Sequence, residues 1–365
     1  MNQKKERHLF LGGNTSRGFF SHYSYLLPQE TANRIICLKG GPGTGKSSLM
    51  KRVAKHFEEK GYEIEYYHCS SDADSLDGIW IKGLNIAMVD GTSPHVIDPI
   101  HPGAVDETVN LGIALNNELL TTKKKEIMEV QKKISTNFKR AYHFLGAAKE
   151  IHVDWSKLNT SSIDMNKLNI LLKDLLSKIF TDSLEGYGKE RHLFTTAFTP
   201  SGIVSHAEDI YKYYDNTFVI NGDPGFKKTY ILKEIGSEAQ RRGYFVEYMH
   251  DPLIPERIEH LFIPEISTCI LTENEISQNF FEGNKYYASD YADKSKLDAL
   301  KTDLEYDADL FYVLTSKSLD FILRAHELHD DLEAFYIKAM DYEVIDKIYN
   351  ELIAKFESFE NVEWF

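Results

Sequence analysis

The chain has 365 residues, of which 42% are hydrophobic and 27% are charged, a balance typical of globular proteins with apolar cores. Its formal net charge of −14 argues against a surface that mainly binds nucleic acid, because neutralising phosphates requires clustered lysine and arginine. The 3 cysteines are far apart and form no C-x-x-C pair, which argues against a zinc site or a disulfide framework and favours a reducing compartment.

The first residues of the chain contain no apolar segment of the kind that a signal peptide needs. No apolar run reaches the ~18 residues that a membrane-spanning helix requires. We therefore expect a cytoplasmic protein with no membrane partner.

The chain contains one unit twice. RHLFLGGNTSRGFFSH at 7–22 matches RHLFTTAFTPSGIVSH at 191–206, and GYEIEYYH at 61–68 matches GYFVEYMH at 243–250. Further along, AAKEIHVDW in the first unit matches RAHELHDDL in the second, so the matched stretches follow the same order in both units. Such ordered matches indicate a tandem duplication.

The duplication predicts two domains, 1–183 and 187–365, that pair within the chain. In each, apolar strands alternate with helical segments, which predicts an α/β fold in which helices flank a parallel sheet. Each domain ends in apolar residues at helical spacing, roughly 117–181 and 293–358, which predicts a helical tail.

The strand RIICLKG runs into GGPGTGKSS at 40–48, which satisfies the phosphate-loop pattern G-x-x-x-x-G-K-[ST] and opens a helix. Glycines in such a loop aim backbone N–H groups at one point, and the helix N-terminus favours an anion. We expect Lys46 to contact the β- and γ-phosphates of ATP and Ser47 to bind Mg²⁺. The predicted nucleotide-binding residues are Gly40, Gly41, Pro42, Gly43, Thr44, Gly45, Lys46, Ser47 and Ser48.

The strand NIAMVDGT ends in Asp90, the expected second Mg²⁺ residue of such a site. An Asp–Gly turn is the alternative interpretation. No glutamate follows Asp90 to polarise water, although Thr92 or His95 are candidates to sense the γ-phosphate.

The segment HCSSDADSLDG at 68–78 follows a strand, so it is expected at the sheet edge where ligands bind. Asp72, Asp74 and Asp77 are candidates for a general base, a second metal contact or a substrate contact. The alternative is the start of a helix, where acidic residues complement the helix dipole.

The second copy of the loop reads NGDPGFKKT, and it keeps Gly222, Gly225, Lys228 and Thr229 at their spacings. Lys227 replaces the last glycine, and Thr272 stands where the first copy has Asp90. We expect a degenerate second nucleotide site that has lost its metal carboxylate.

Three histidines of the first unit recur in the second, as the pairs His8 and His192, His22 and His206, and His68 and His250. A fourth pair, His152 and His329, lies on apolar helical faces. None has metal-ligand spacing, so we interpret them as core residues.

On these residues the chain resembles an uncharacterised family of bacterial tandem P-loop ATPases, found mainly in spore-forming Firmicutes. KGGPGTGKSS, HCSSDADSLDG and DGTSPHVIDPIHPGAVDETVNLG carry the resemblance, together with the second loop at the same relative place. The resemblance implies an ATP-binding fold with a degenerate second copy and no established substrate.

These observations predict a slow Mg²⁺-dependent ATPase whose helical tails move between states that a protein or nucleic-acid partner reads. Arg191, Arg241 and Arg242 are candidates for an arginine supplied by the second half. The alternatives are a phosphotransferase whose acceptor binds at 72–77 and a scaffold that binds nucleotide without turnover. ATP is preferred over GTP only because no N-K-x-D motif occurs.

Overall fold

The computed structural model describes residues 6–92 and 97–361. It is an α/β protein of two halves that repeat the same series of strands, as the duplication predicts, and differ in their short helices. Although two of its helices have 37 and 44 residues, no helix in the described ranges is apolar enough to cross a membrane.

In the described residues, the first half contains eight strands and four α-helices. The strands are β1 (Arg7–Leu9), β2 (Gly12–Thr15), β3 (Gly18–Ser21), β4 (Arg34–Lys39), β5 (Ile64–Cys69), β6 (Asp72–Ile81), β7 (Ile86–Asp90) and β8 (Asp106–Asn110). The helices are α1 (Lys46–Glu59), α2 (Asn117–Thr122), α3 (Lys124–Thr160) and α4 (Met165–Ile179).

The second half repeats the series of strands, but its short helix follows the third strand instead of preceding the long helix. Its strands are β9 (Glu190–Leu193), β10 (Thr196–Thr199), β11 (Gly202–Ser205), β12 (Asn216–Asn221), β13 (Val246–His250), β14 (Ile258–Ile263), β15 (Thr268–Glu273) and β16 (Asn284–Tyr287). Its helices are α5 (Ala207–Ile210), α6 (Lys228–Arg241), α7 (Lys294–Ile337) and α8 (Tyr342–Glu357).

Each half builds one six-stranded sheet, in the order β1-β5-β6-β7-β4-β8 and β9-β13-β14-β15-β12-β16. The sheets are mixed rather than wholly parallel as predicted, because β6 and β14 run antiparallel to both neighbours. The predicted acidic loop is the beginning of β6. Only two residues separate β5 from β6, and so short a connection can join only antiparallel strands.

The two sheets pack directly against each other. Their facing sides share one apolar core, to which β4 and β7 contribute from one sheet and β12 and β15 from the other. The outer faces are covered by helices, with α1 and α8 on one side and α4 and α6 on the other. The structure is thus layered helix, sheet, sheet, helix, so helices flank each sheet on one face only.

A buried charge cluster lies where the halves meet. Arg7 pairs with Glu65 at 2.8 Å and with Glu247 at 2.7 Å, and Arg191 pairs with the same two carboxylates at 2.9 and 3.2 Å. The members are equivalent pairs of the two repeats, so each half supplies one arginine and one glutamate.

The helical tails cross between the halves. Helices α3 and α7 pack antiparallel, with Trp155 near Phe311 at one end, Ser318 bonded to the Ala141 carbonyl between, and Ile134 beside Leu332 towards the other end. Helix α4 then packs on the sheet of the second half, and α8 packs on that of the first. The division at 183–187 stays a prediction about sequence units, whereas in space each tail covers the opposite half.

Candidate functional site

The first loop, residues 40–47, connects the end of β4 to the start of α1. Gly43 and Gly45 have φ angles of 67° and 82°, and Gly45 is the N-cap of α1. These left-handed angles favour glycine, which explains two of the glycines in the motif. The Thr44 hydroxyl donates to the Gly41 carbonyl at 2.8 Å and braces the turn.

The structure brings Lys46 and Asp90 together, as the sequence predicts. Strand β7 lies beside β4 with Asp90 opposite Leu38, so the carboxylate emerges where the loop begins. The Lys46 ammonium lies 3.5 Å from Asp90 Oδ2 and donates to the carbonyl oxygens of Gly40 and Gly41 at 3.2 and 2.8 Å. Both side chains are largely buried, at 10% and 15% exposure, which strengthens their attraction.

Two hydroxyl groups make hydrogen bonds at the same loop, one from Ser47 within it and one from Thr92 after β7. Ser47 Oγ accepts a hydrogen bond from the Leu76 amide at 3.0 Å, so the start of β6 adjoins the loop. Thr92 donates to the Gly40 carbonyl at 2.9 Å, and its amide donates to Asp90 Oδ1 at 2.8 Å. His95 lies outside the described residues.

The acidic segment is largely structural. Asp77 is 3% exposed and accepts a 3.0 Å hydrogen bond from the Tyr23 hydroxyl. Asp72 accepts from the Asp74 amide at 3.2 Å and from the Ser75 hydroxyl at 2.6 Å, an arrangement that stabilises the turn into β6. Of the three predicted carboxylates, Asp74 is the exposed one.

The arginines suggested for the first site lie elsewhere. Arg191 is held in the buried charge cluster and also donates to the carbonyls of Tyr25 and Leu26. Arg241 and Arg242 pair with Glu238 at the far end of α6, about 20 Å along the helix from the second loop. Sequence spacing carries no information on these distances.

The second loop, residues 222–229, keeps the backbone shape of the first despite its altered sequence. Gly225 has a φ of 90°, and Lys227 takes the left-handed N-cap position of α6 with a φ of 62°. Thr272 lies beside Ile220 just as Asp90 lies beside Leu38, which confirms the alignment of the repeats. The helix start therefore tolerates a lysine where the first loop has a glycine.

A carboxylate that the sequence alignment missed faces the second lysine. Glu275 Oε2 lies 3.6 Å from Lys228 Nζ, and its other oxygen accepts from His152 of α3. Arg257 donates to the Nδ1 atom of His152 at 2.9 Å, so Nε2 is the ring nitrogen that donates to Glu275. Burial opposes ionisation of Glu275, but Lys228 and His152 outweigh it and lower the pKa of this carboxyl to about 2.

The second loop borders a cavity of about 210 Å³ that residues of both halves line. Burial raises the pKa of Glu259 in its wall to about 8, so this carboxyl holds its proton at neutral pH. Among the described residues, Ser156 Oγ, Glu259 Oε2 and Glu275 Oε2 are buried cavity-lining atoms without a hydrogen-bond partner. The match between His152 and His329 was the one feature of the sequence that could have indicated a helix at this cavity.

Each loop is covered by the long helix of the opposite half. The Gly43 amide donates to Glu333 Oε1 of α7 at 3.0 Å, and Tyr336 of the same helix packs against Gly41. At the second loop, Asn159 and Thr160 of α3 donate to the carbonyls of Pro224 and Gly225 at 2.8 and 2.9 Å. Both sites are therefore composite.

Six of the matched histidines form two clusters across the interface between the halves. His8, His68 and His206 make one, with ring centroids 4.8 to 5.6 Å apart, and the equivalent residues His22, His192 and His250 make the other, at 4.4 to 5.9 Å. In the described part of the chain, no group of three histidine, cysteine or acidic side chains is arranged to hold a metal ion.

Residues 14–79 match the family model described as Nephrocystin 3, N-terminal. This stretch includes the first loop and α1 but is too short a part of the chain to assign the whole protein to that family. No curated protein and no solved structure matches the chain.

Proposed function

We propose that the first half is a Mg²⁺-dependent ATP-binding unit that hydrolyses ATP slowly, and that the second half is a degenerate copy with a structural or regulatory role. The observation that carries this proposal is the meeting of Lys46 and Asp90, 3.5 Å apart, at a glycine-rich loop that opens a helix. A lysine, a hydroxyl and a carboxylate at such a loop are what a magnesium–triphosphate complex requires.

The residues at the first loop fit Mg²⁺, which prefers oxygen ligands. Ser47 and Asp90 would hold the ion, and bound Mg²⁺ would neutralise negative charge on the phosphates. Lys46 contributes a positive charge at the same place, and the start of α1 supplies backbone N–H groups. The chain's own part is thus to orient the phosphates and stabilise their charge.

A phosphotransferase remains an alternative with less support. Its acceptor was expected at Asp72, Asp74 and Asp77, but Asp77 is bonded to Tyr23 and Asp72 serves a turn. A kinase would consume ATP faster when a hydroxylated acceptor is added, whereas a hydrolase would not.

A scaffold that binds nucleotide and barely turns it over is the second alternative. The absence of a glutamate directly after Asp90 favours it. Under either proposal, the crossed tails are the elements that an unidentified protein or nucleic-acid partner would read, since they touch both loops.

The test is titration calorimetry with Mg·ATP on the wild type, Lys46→Ala and Lys228→Ala, with phosphate release followed in the same samples. We expect one binding event, lost in Lys46→Ala and kept in Lys228→Ala, with slow release of phosphate. Mg·GTP in a parallel titration decides the base preference.

The other outcomes are distinct. Binding without phosphate release supports the scaffold. A second event that only Lys228→Ala removes makes the second loop a working nucleotide site. No binding to the wild type rejects the proposed function.

A further inference from the structure

The first loop of the free protein is held by its own chain. Lys46 donates to two loop carbonyls, Ser47 Oγ accepts from the Leu76 amide, and the Gly43 amide donates to Glu333. The last contact differs from the others because it comes from the second half.

The contact places an anion where the loop would bind one. A backbone amide has one hydrogen to donate, and a carboxylate oxygen and a phosphate oxygen are acceptors of the same kind and charge. Glu333 and a phosphate therefore exclude each other at Gly43. Their like charges would repel each other as well.

Helix α7 also lies close to the loop along its backbone. A Cβ atom added to Gly43 would lie 3.0 Å from the Glu333 carbonyl oxygen and 3.2 Å from the side chain of Ile337, and one added to Gly41 would meet the Tyr336 ring at 2.9 Å. A triphosphate on this side of the loop would need the end of α7 to shift.

The second loop lacks this anion. Ser156 of α3 is equivalent to Glu333 when AAKEIHVDW is aligned with RAHELHDDL, and it lies against Gly225 as Glu333 lies against Gly43. Serine carries no charge. Among the residues that the structure describes, only the loop with the intact motif is held by a carboxylate of the opposite half, which ties the carboxylate to that motif.

We propose that Glu333 is a gate residue that the second half contributes to the first loop: its carboxylate occupies the Gly43 amide in the free protein, and a nucleotide phosphate must displace it. This inference rests on the proposed function. It gives the second half a regulatory role without any nucleotide of its own, because release of Glu333 frees the end of α7.

The experiment compares the wild type with Glu333→Gln, which keeps an acceptor without charge, and Glu333→Ala, which removes it. Glu327→Gln is the matched control, since Glu327 is an exposed glutamate on the same helix. Hydrogen exchange of the loop amides is measured without nucleotide, and Mg·ATP affinity and phosphate release are measured alongside.

We expect faster exchange at Gly43 in Glu333→Ala and tighter Mg·ATP binding in the order Ala, Gln, wild type. A hydrogen bond to a charged group contributes enough free energy that its loss in Glu333→Ala should tighten binding about tenfold or more relative to the wild type. Glu327→Gln should match the wild type in both measurements.

If hydrogen exchange at Gly43 is unchanged in Glu333→Ala, the proposed gate is overturned, whether or not the protein binds nucleotide. Weaker binding in the variants, or unchanged binding with lost phosphate release, would also overturn it and make Glu333 a nucleotide contact or a catalytic residue. If exchange rises but neither the wild type nor the variants bind Mg·ATP, the proposed function fails and Glu333 only clasps the loop, so the gate fails with it in a distinguishable way.

Discussion

Glu275 stands in the same relation to Lys228 as Asp90 does to Lys46: a carboxylate oxygen lies 3.6 Å from the ammonium in one half and 3.5 Å in the other. The two carboxylates come from different places in the repeat. Asp90 ends β7, whereas Glu275 lies beyond the end of β15, and Thr272 occupies the position equivalent to Asp90. The second half has thus kept a partner for its lysine while losing the one beside the loop.

The pair of Lys228 and Glu275 should be structural. We expect Glu275→Gln to lower the free energy of unfolding by about 3 kcal/mol, because it leaves a largely buried lysine without its counter-charge. Lys228→Met should cost a similar amount, and the double variant should cost less than the sum of the two. Urea denaturation of the four proteins measures this coupling, and strictly additive losses would show that the two groups do not interact.

The left-handed Lys227 should carry backbone strain. A non-glycine residue in this region costs roughly 1–2 kcal/mol, while glycine returns part of that through a more flexible unfolded chain. We therefore expect Lys227→Gly to raise stability by about 0.5–1 kcal/mol, measured by urea denaturation.

The equivalent position of the first loop supplies the opposite change. Gly45 has no atom within 4 Å of an added Cβ, so Gly45→Ala tests the backbone alone and should lower stability by about 0.5–1 kcal/mol. If both substitutions have the same sign, backbone strain is not what distinguishes the loops.

The buried charge cluster between the halves should be costly to break. Arg191→Met leaves Glu65 and Glu247 with one arginine in a site from which water is excluded, and we expect a loss of about 3–5 kcal/mol. Lys123→Met is the control, because its partner Glu126 is exposed and such a pair contributes about 1 kcal/mol or less. Equal effects in thermal or urea unfolding would mean that the cluster contributes no more than a surface pair.

The histidine clusters should make the interface between the halves sensitive to acid. Burial, and then the neighbouring histidines, lower the pKa of His22 and of His206 to about 3. Between pH 6.5 and pH 3 these histidines bind protons in the unfolded chain, where the histidine pKa is about 6.5, but stay neutral in the folded chain. Their contribution to the free energy of unfolding is therefore fully present above pH 6.5 and is lost progressively as the pH falls towards 3. At pH 5 we expect a loss of about 2 kcal/mol for each histidine.

Unfolding midpoints at pH 7.5 and 5.0 measure this loss. The double variant His22→Phe, His206→Phe keeps aromatic rings but cannot be protonated, so its midpoint should change less between the two values. His22 Nε2 is a buried atom with no hydrogen-bond partner in the described residues, so phenylalanine sacrifices no bond there. An equal pH response in variant and wild type would place the acid sensitivity elsewhere.

The sequence alone determined the features that depend on local spacing. The two units, the α/β class and the loop at 40–48 follow from matched stretches, apolar periodicity and glycine positions, all of which act over a few residues. The approach of Asp90 to Lys46 was predictable too, since the ends of neighbouring parallel strands meet at one sheet edge.

Only the tertiary structure decided which parts of the halves meet. The sequence pattern of an apolar helix face is the same whether the helix packs on its own sheet or on the opposite one. The crossing of α4 and α8 therefore could not be predicted from the sequence pattern. The contact of Glu333 with Gly43 depends on the crossing of the helical tails. The contact of Glu275 with Lys228 depends on a turn after β15. They join residues far apart in the chain, and chain entropy lets such contacts form only when the whole core holds them in place.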